Sequence, residues 1–369
     1  MKGMIVLALA FSGVISGAAE SLDVDELIGR VSTAWQEVSF QGIFVQNSLH
    51  AGREMEFVME IYRWAPDRYL IRFLSPDSVA GTVVAVRRDE VRFRGDAHIG
   101  RAFRHRRADR WLKGTALFRE IDRLQQNYNI QISERINAIG RPVYALSIRS
   151  KRPNRPEVDL EIDRESALIL KVVRRSPVAR TPRTYHYRSI RIGPPDTLIF
   201  HRAWKETQPA AGKADWKSGK RRMETYPTLV SLLARHQGTV LVPEEVPKGF
   251  VLQTIRRIQR QNRRFIHMLY SDGLTFISLF QRDASWRSES RRHGRKAASF
   301  YSVIRGKQAG MAYSLVGEIP EDELEQMARS LVPLKRAASE RVSLTFIGPA
   351  VLLAVLIWYW YQKRKSHNI

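Results

Sequence analysis

Along residues 55–62, Met55, Phe57, Met59 and Ile61 alternate with Glu56, Val58, Glu60 and Tyr62, the period of a strand with one face turned inward. Similar runs predict strands over 40–46, 55–64, 68–74, 82–87 and 90–94. Pro66-Asp67, Ser75-Pro76-Asp77 and Arg88-Asp89 separate them as turn chemistry. Strands so close together, with no helix between them, pair antiparallel. Further strands are predicted over 128–134, 143–149, 158–163, 168–174, 185–191 and 198–204, about eleven before residue 205.

Two stretches in this part carry helical spacing instead. Over 22–35, Val24, Leu27, Ile28, Val31 and Trp35 share one face, and Asp23 precedes Glu26 at capping distance. Over 115–126, Leu117, Ile121 and Leu124 form a second stripe. Residues 206–223 contain Pro209-Ala210-Ala211-Gly212 and then a run of lysines and arginines, which reads as a connector. A short helix is predicted at 228–235. Beyond it, Val246-Pro247-Lys248-Gly249-Phe250 leads into a strand, and 265–270 and 274–281 form a hairpin around Ser271-Asp272-Gly273. A strand at 299–304 pairs with 311–317 across Gly306-Lys307-Gln308. Pro320 opens a last helix, with Glu321, Asp322 and Glu323 complementing its dipole and Leu324, Met327, Ala328 and Leu331 facing the sheet.

The two ends differ from this body. Residues 1–19 have Lys2, an apolar run and small residues up to Ala18 or Ala19, the pattern of a secretory signal. Residues 342–361 hold no charged side chain and predict a single transmembrane helix. Trp358 to Tyr361 suit the headgroup level, and Lys363, Arg364 and Lys365 suit a cytoplasmic tail. Together they predict a periplasmic body tied to the inner membrane by its C-terminal helix.

Composition narrows the partners. The chain is 44% hydrophobic and 27% charged, so the body can bury a core, and it has no cysteine for disulfides or metal ligation. Its net charge of +24 favours polyanions. Outside the cytoplasm these are lipid headgroups, lipopolysaccharide phosphates and acidic protein segments, and nucleic acid is not an expected partner. The densest basic run, 100–113, carries Arg101, Arg104, Arg106, Arg107 and Arg110 around His105 and Trp111, and is a candidate headgroup or partner contact beside the alternative of a solvated loop.

Catalytic chemistry finds no footing. There is no paired-histidine metal motif, phosphate-cradling glycine loop or nucleophile elbow, and the nine histidines are scattered. Asp159, Glu161 and Asp163 alternate along one strand face among many arginines. No catalytic residue, metal or cofactor is expected, and the chain reads as a binding protein rather than an enzyme. The apolar candidate is stronger. A curved sheet under helices leaves room for a cavity lined by Met55, Phe57, Met59, Ile61, Tyr69, Ile71 and Phe73, and the alternative that these side chains fill a packed core stays open.

Three strings in the first part, Gly140-Arg141-Pro142-Val143-Tyr144-Ala145-Leu146, Val158-Asp159-Leu160-Glu161-Ile162-Asp163 and Leu168-Ile169-Leu170-Lys171, resemble the lipoprotein-carrier half-barrel of the LolA and LolB type. In the second part Pro247-Lys248-Gly249-Phe250, Leu269-Tyr270-Ser271-Asp272-Gly273-Leu274 and Val316-Gly317-Glu318-Ile319-Pro320 resemble the C-terminal domain of the RseB/MucB family. The resemblance covers roughly 22–333. It implies a periplasmic regulator of an envelope-stress sigma-factor pathway. Such a protein binds the periplasmic domain of an anti-sigma factor, shields it from proteolysis, and is relieved by lipid or lipopolysaccharide. A cavity here would then take acyl chains or an apolar peptide. Family members are typically soluble, and the stretch at 342–361 departs from that pattern.

The expected fold is α+β: a large curved antiparallel half-barrel covered by helices on its concave face, a small antiparallel sheet with one helix, and a single C-terminal transmembrane helix. The expected division is 1–19 signal peptide, 20–205 half-barrel, 206–235 basic linker, 236–336 C-terminal-like domain, 342–361 transmembrane helix and 362–369 cytoplasmic tail. The expected function is a membrane-anchored sensor binding an anti-sigma factor and a hydrophobic ligand, with a lipid or lipoprotein carrier of the envelope as the alternative.

Overall fold

The computed structural model describes residues 24–50, 53–88, 90–104, 120–209, 222–260, 263–283 and 300–335. The chain divides into two compact units, Met1–Gly212 and Lys213–Ile369. The expected fold class is corrected in one respect. No described helix is long and apolar enough to cross a membrane. The one-sided amphipathic helix Val24–Glu37, at fourteen residues, spans about 21 Å, well short of a hydrocarbon core of roughly 30 Å. The stretches expected to be signal peptide, transmembrane helix and tail all lie outside the described residues.

The first unit runs α1 (Val24–Glu37), β1 (Phe40–His50), β2 (Arg53–Trp64), β3 (Arg68–Ser75), β4 (Val83–Arg87), β5 (Glu90–Arg94), α2 (Ala97–Arg104), α3 (Ile121–Asn127) and β6 (Tyr128–Ile136). It continues through β7 (Pro142–Ser150), β8 (Glu157–Asp163), β9 (Ile169–Arg175), β10 (Arg183–Ile192), α4 (Thr197–Glu206) and the two-residue β11 (Gln208–Pro209). Among the described residues its strands form one eleven-stranded antiparallel sheet in the order β11-β5-β4-β3-β2-β1-β10-β9-β8-β7-β6. Two meanders meet where β1 pairs with β10, at Phe40↔Ile192 and Phe44↔Tyr187. Gly42 belongs to that seam, because a Cβ there would strike the Ser189 carbonyl oxygen and the Tyr187 ring.

The helices do not share one face, which corrects the expectation of cover on the concave side alone. Trp35 of α1 lies 6.2 Å from Tyr69, whereas Phe200 of α4 lies 5.3 Å from Trp64 and packs with Tyr62, Leu70, Val83 and Ala85. Neighbouring strand residues point to opposite faces, so Tyr69 and Leu70 put α1 and α4 on opposite sides of the sheet. Residues 198–204, expected to be a strand, lie within α4. The Asp196 carboxylate accepts from the Leu198 amide at 2.9 Å as an N-cap, and Phe200 and Ala203 bury one helical stripe.

The second unit holds β12 (Arg222–Tyr226), α5 (Leu229–Arg235), β13 (Val240–Pro243), β14 (Val251–Arg260), β15 (Arg263–Ser271), β16 (Phe276–Asp283), β17 (Ser302–Gln308), β18 (Met311–Gly317), α6 (Glu321–Arg329) and β19 (Leu331–Leu334). Among the described residues, six strands pair in the order β12-β14-β15-β16-β18-β17, and β13 pairs with β19. The β17–β18 turn is at Ala309-Gly310, both with positive φ, rather than across Gly306-Lys307-Gln308, which lie in β17. Leu331, expected on the last helix, starts β19 instead. The buried Gln281 side chain ties the small ladder to the large one: its Oε1 accepts from the Leu241 amide at 2.6 Å and its Nε2 donates to the Leu241 carbonyl at 2.9 Å.

Arg63 fastens α1 to the first sheet. It is 2% exposed, and its guanidinium donates five hydrogen bonds to four backbone carbonyls. Nε and Nη2 reach Trp35 at 3.0 and 2.9 Å, Nη2 reaches Pro66 at 2.5 Å, and Nη1 reaches Trp64 and Arg68 at 3.0 and 2.8 Å. It also lies over the Trp35 ring, 5.2 Å from the centroid. Burial pulls its pKa down to about 10, against the opposing pull of Tyr69 and Asp67. A lysine has three donors without the planar fork. Arg63→Lys is therefore expected to destabilise the first unit by about 2–4 kcal/mol in denaturant unfolding of the full chain. Arg88→Lys, at an exposed ion pair with Asp67, is expected to change it by less than about 0.5 kcal/mol.

Candidate functional site

The expected lining residues fall on one face of β2 and β3. Register sets Met59 opposite Phe73 and Ile61 opposite Ile71, and places Tyr69 beside Arg63. Strand alternation adds Met55 and Phe57 to the same face. Burial is graded along it. Ile61 and Met59 are 0% and 1% exposed and Tyr69, Ile71 and Phe73 are buried, while Phe57 and Met55 are half-buried. Burial is greatest where α1 crosses the face and least toward the far end of β2.

Its walls include residues that strand reading did not single out. Phe40 stands 5.7 Å from Trp35 and 5.7 Å from Tyr187, and Phe44 is 5.0 Å from Tyr187, all edge-on. Phe73 meets Phe103 of α2 at 6.4 Å. The signal was present in the alternation Phe40-x-Gly42-x-Phe44, but only the β1–β10 pairing brings Tyr187 to it. Burial drives the Tyr187 hydroxyl pKa strongly up, so the wall carries no charge there.

A separate cleft of about 300 Å³ lies on the α4 side, bordered by Arg72, Leu74, Val83, Arg94, Ala203 and Glu206. Of the seven expected lining residues only Phe73 borders it. Arg72 and Arg94 are each engaged there, with Glu60 at 3.4 Å and Glu206 at 2.9 Å.

Of the basic run, Arg101 and Arg104 belong to α2 by backbone. Arg106, Arg107 and Arg110 lie outside the described residues.

The carboxylates of β8 are all in ion pairs. Asp159 accepts from Arg149 and Arg175, each at 2.5 Å, Glu161 pairs with Arg135 at 2.7 Å and Lys171 at 3.6 Å, and Asp163 takes Arg141 at 2.5 Å. Burial alone would raise the Asp159 and Asp163 pKa values. Hydrogen bonds from Arg175 and Arg149 to the first, and from Arg141 and Ser166 to the second, outweigh it and hold both below the usual range. Carboxylates held ionised between arginines are poor proton donors and acceptors near neutral pH.

In the second unit the string from Ser271 to Leu274 is a buried turn. Asp272 Oδ1 accepts from the Leu274 and Thr275 amides at 3.0 and 2.8 Å, and Ser271 Oγ accepts from Gly273, whose φ is 101°. These hydrogen bonds hold the turn between β15 and β16. The His267 ring of β15 stacks on Phe280 at 4.3 Å and its Nε2 is 3.2 Å from Ser278 Oγ. Burial, with the charge of Arg256 beside it, brings its pKa down to about 4.

The first unit is built on a large two-faced antiparallel sheet and the second on a small sheet backed by a helix. The chain belongs to the MucB/RseB family: the sequence model of the MucB/RseB N-terminal domain matches residues 23–177, and that of the MucB/RseB C-terminal domain matches 235–332. This is a family of periplasmic regulatory proteins. The chain is similar in fold to a crystal structure of MucB in complex with MucA(peri), with a TM-score of 0.52, 19% identity, and coverage of 85% of this chain and 100% of that one. It is likewise similar to the MucA/MucB complex of Pseudomonas aeruginosa, with a TM-score of 0.52, 18% identity, and coverage of 85% and 99%. Curated protein sequences give no match.

His267 is expected to make the second unit sensitive to acid. With a folded pKa of about 4 against an ordinary 6.5, the unfolded chain binds more protons between those values, so stability present above pH 6.5 is lost as pH falls through that window. His267→Gln is expected to flatten the pH dependence of the second unit's melting temperature between pH 6.5 and 4. The imidazole of the native chain is expected to titrate near pH 4 by NMR.

Proposed function

We propose that this protein is a periplasmic regulator of an extracytoplasmic stress response that binds the periplasmic segment of an anti-sigma factor and senses a hydrophobic ligand. The observation that carries the reading is the match of both MucB/RseB domains, in order, on a chain whose fold is that of MucB in complex with MucA(peri). The N-terminal unit is the ligand-sensing one. Its apolar face, lined by Met55, Phe57, Met59, Ile61, Tyr69, Ile71 and Phe73, takes an acyl chain entering at the half-buried Phe57 and Met55 end. Arg101, Arg104, Arg106, Arg107 and Arg110 supply cations for a headgroup phosphate or a partner's carboxylates. The chain acts by binding and not by catalysis, a reading supported by the β8 carboxylates, each taken up by basic partners.

The test is calorimetry of the full chain with the anti-sigma periplasmic segment, and displacement of a fluorescent acyl probe by lipopolysaccharide. Both are expected to saturate in low and moderate salt, and absence of both would end the proposal. Phe57→Glu puts a carboxylate on the apolar face at a half-open position. It is expected to weaken the acyl probe at least tenfold, about 1.4 kcal/mol, without lowering the melting temperature by more than a few degrees.

A further inference from the structure

Among the described residues, the second unit packs its core on one face of the six-stranded sheet. Ile255, Met268, Leu279 and Leu315 pack with Leu324 and Met327 of α6 in its core. Alternation along the paired strands then fixes which side chains point the other way. Register aligns Thr225, Arg256, His267, Phe280, Ser314 and Arg305 in one row across β12, β14, β15, β16, β18 and β17. The next row runs Thr254, Leu269, Ser278, Val316 and Val303.

An antiparallel sheet with one face on a core ordinarily turns polar side chains outward. This one turns out Ile258, Phe265, Leu269, Phe276, Phe280 and Val316, with Phe276 and Phe280 still 39% and 38% exposed. Around them stand Arg256, Arg282, Arg305 and Lys307, and no Asp or Glu occupies an outward position of these strands among the described residues. Arg256 Nε is buried with no hydrogen-bond partner. Apolar rows edged by cations of one sign are complementary to a segment that alternates apolar and acidic side chains.

We propose that this outward sheet face of the second unit docks an acidic amphipathic protein segment. A lipid surface fits less well, because Ile258, Phe265, Leu269 and Val316 are half-buried between their neighbours and a planar interface does not reach into such rows, whereas the side chains of a docked segment do. The proposal deepens the reading of the protein as an anti-sigma-factor binder and rests on it for the identity of the segment.

Two probes separate the claims. The first is a designed fluorescent 20-residue peptide alternating Leu and Glu, titrated into the full chain beside a Leu and Lys counterpart and phosphatidylglycerol vesicles. The expected result is saturable binding of the acidic peptide alone that weakens with salt. Arg256→Glu with Arg305→Glu, and separately Phe280→Ser, are expected to weaken it at least tenfold. Should the double variant lose its fold by melting temperature, Arg305→Glu alone, on an exposed edge-strand side chain, carries the test with a threefold or greater loss. Binding unchanged in the variants, equal binding of the basic peptide, or vesicle binding lost in these same variants would each overturn the proposal. The second probe is the anti-sigma periplasmic segment. Its binding to wild type and variants alike would overturn the docking face and spare the proposed function. Its failure to bind wild type, with the designed peptide still mapping to this face, would sink that function and leave the docking face standing.

Discussion

A buried guanidinium with no carboxylate to accept from it holds the first unit together. Arg63 satisfies its donors on backbone carbonyls from the end of α1 and from the β2–β3 turn, so the charge is dispersed over peptide dipoles instead of being neutralised by a partner ion. A buried arginine left without such acceptors would carry a desolvation cost of several kcal/mol. Seating α1 therefore matters to the charge: without it the Trp35 carbonyl, which accepts two of the five hydrogen bonds, and the Trp35 ring over the guanidinium are both lost. That seating buries one end of the apolar face on β2 and β3, and leaves the other end, at Phe57 and Met55, half-buried.

Charge is distributed with the same economy. The chain has 61 lysines and arginines against 37 aspartates and glutamates, and the β8 carboxylates draw Arg135, Arg141, Arg149, Arg175 and Lys171 around them. Those pairs tie β7, β8 and β9 together along one edge of the sheet and use up the carboxylates that might have worked as acids or bases. Among the described residues, the outward face of the second unit's sheet carries no carboxylate, and Arg256, Arg282, Arg305 and Lys307 stand around phenylalanines. The two sheets thus treat the same excess of arginine in opposite ways, one as lattice and one as surface.

Much of this was readable in the chain. The alternation at 55–62 gave β2 its inward face, and the turn chemistry around residues 66, 76 and 88 separated β2 through β5 where they are separated. The helical stripe Leu324-Met327-Ala328 after Pro320 became α6. The strings likened to RseB/MucB lie in the domain whose family model matches. Other features were not readable in this way. Leu198 to Trp204 is a short apolar run that suits strand and helix alike, and the Asp196 cap after Pro194-Pro195 decided for helix. Gly306 has the composition of a turn residue but lies in a strand opposite Tyr313, and the turn falls at Ala309-Gly310 instead.

The sequence by itself determined most strands of the two large sheets, the alternation of β2, the excess of cations and the family, because each is carried by local period or by strings of residues that need no partner to be recognised. Only the tertiary structure decided that α1 and α4 cover opposite faces, that Tyr187 closes the wall begun by Phe40 and Phe44, that Arg63 is interior, and that the outward face of the second sheet is, among the described residues, apolar and free of carboxylates. Each of these depends on which strand lies beside which and in what register. Pairing across more than a hundred residues, such as Phe44 with Tyr187, is set by the packing of the whole sheet and leaves no mark in the local pattern.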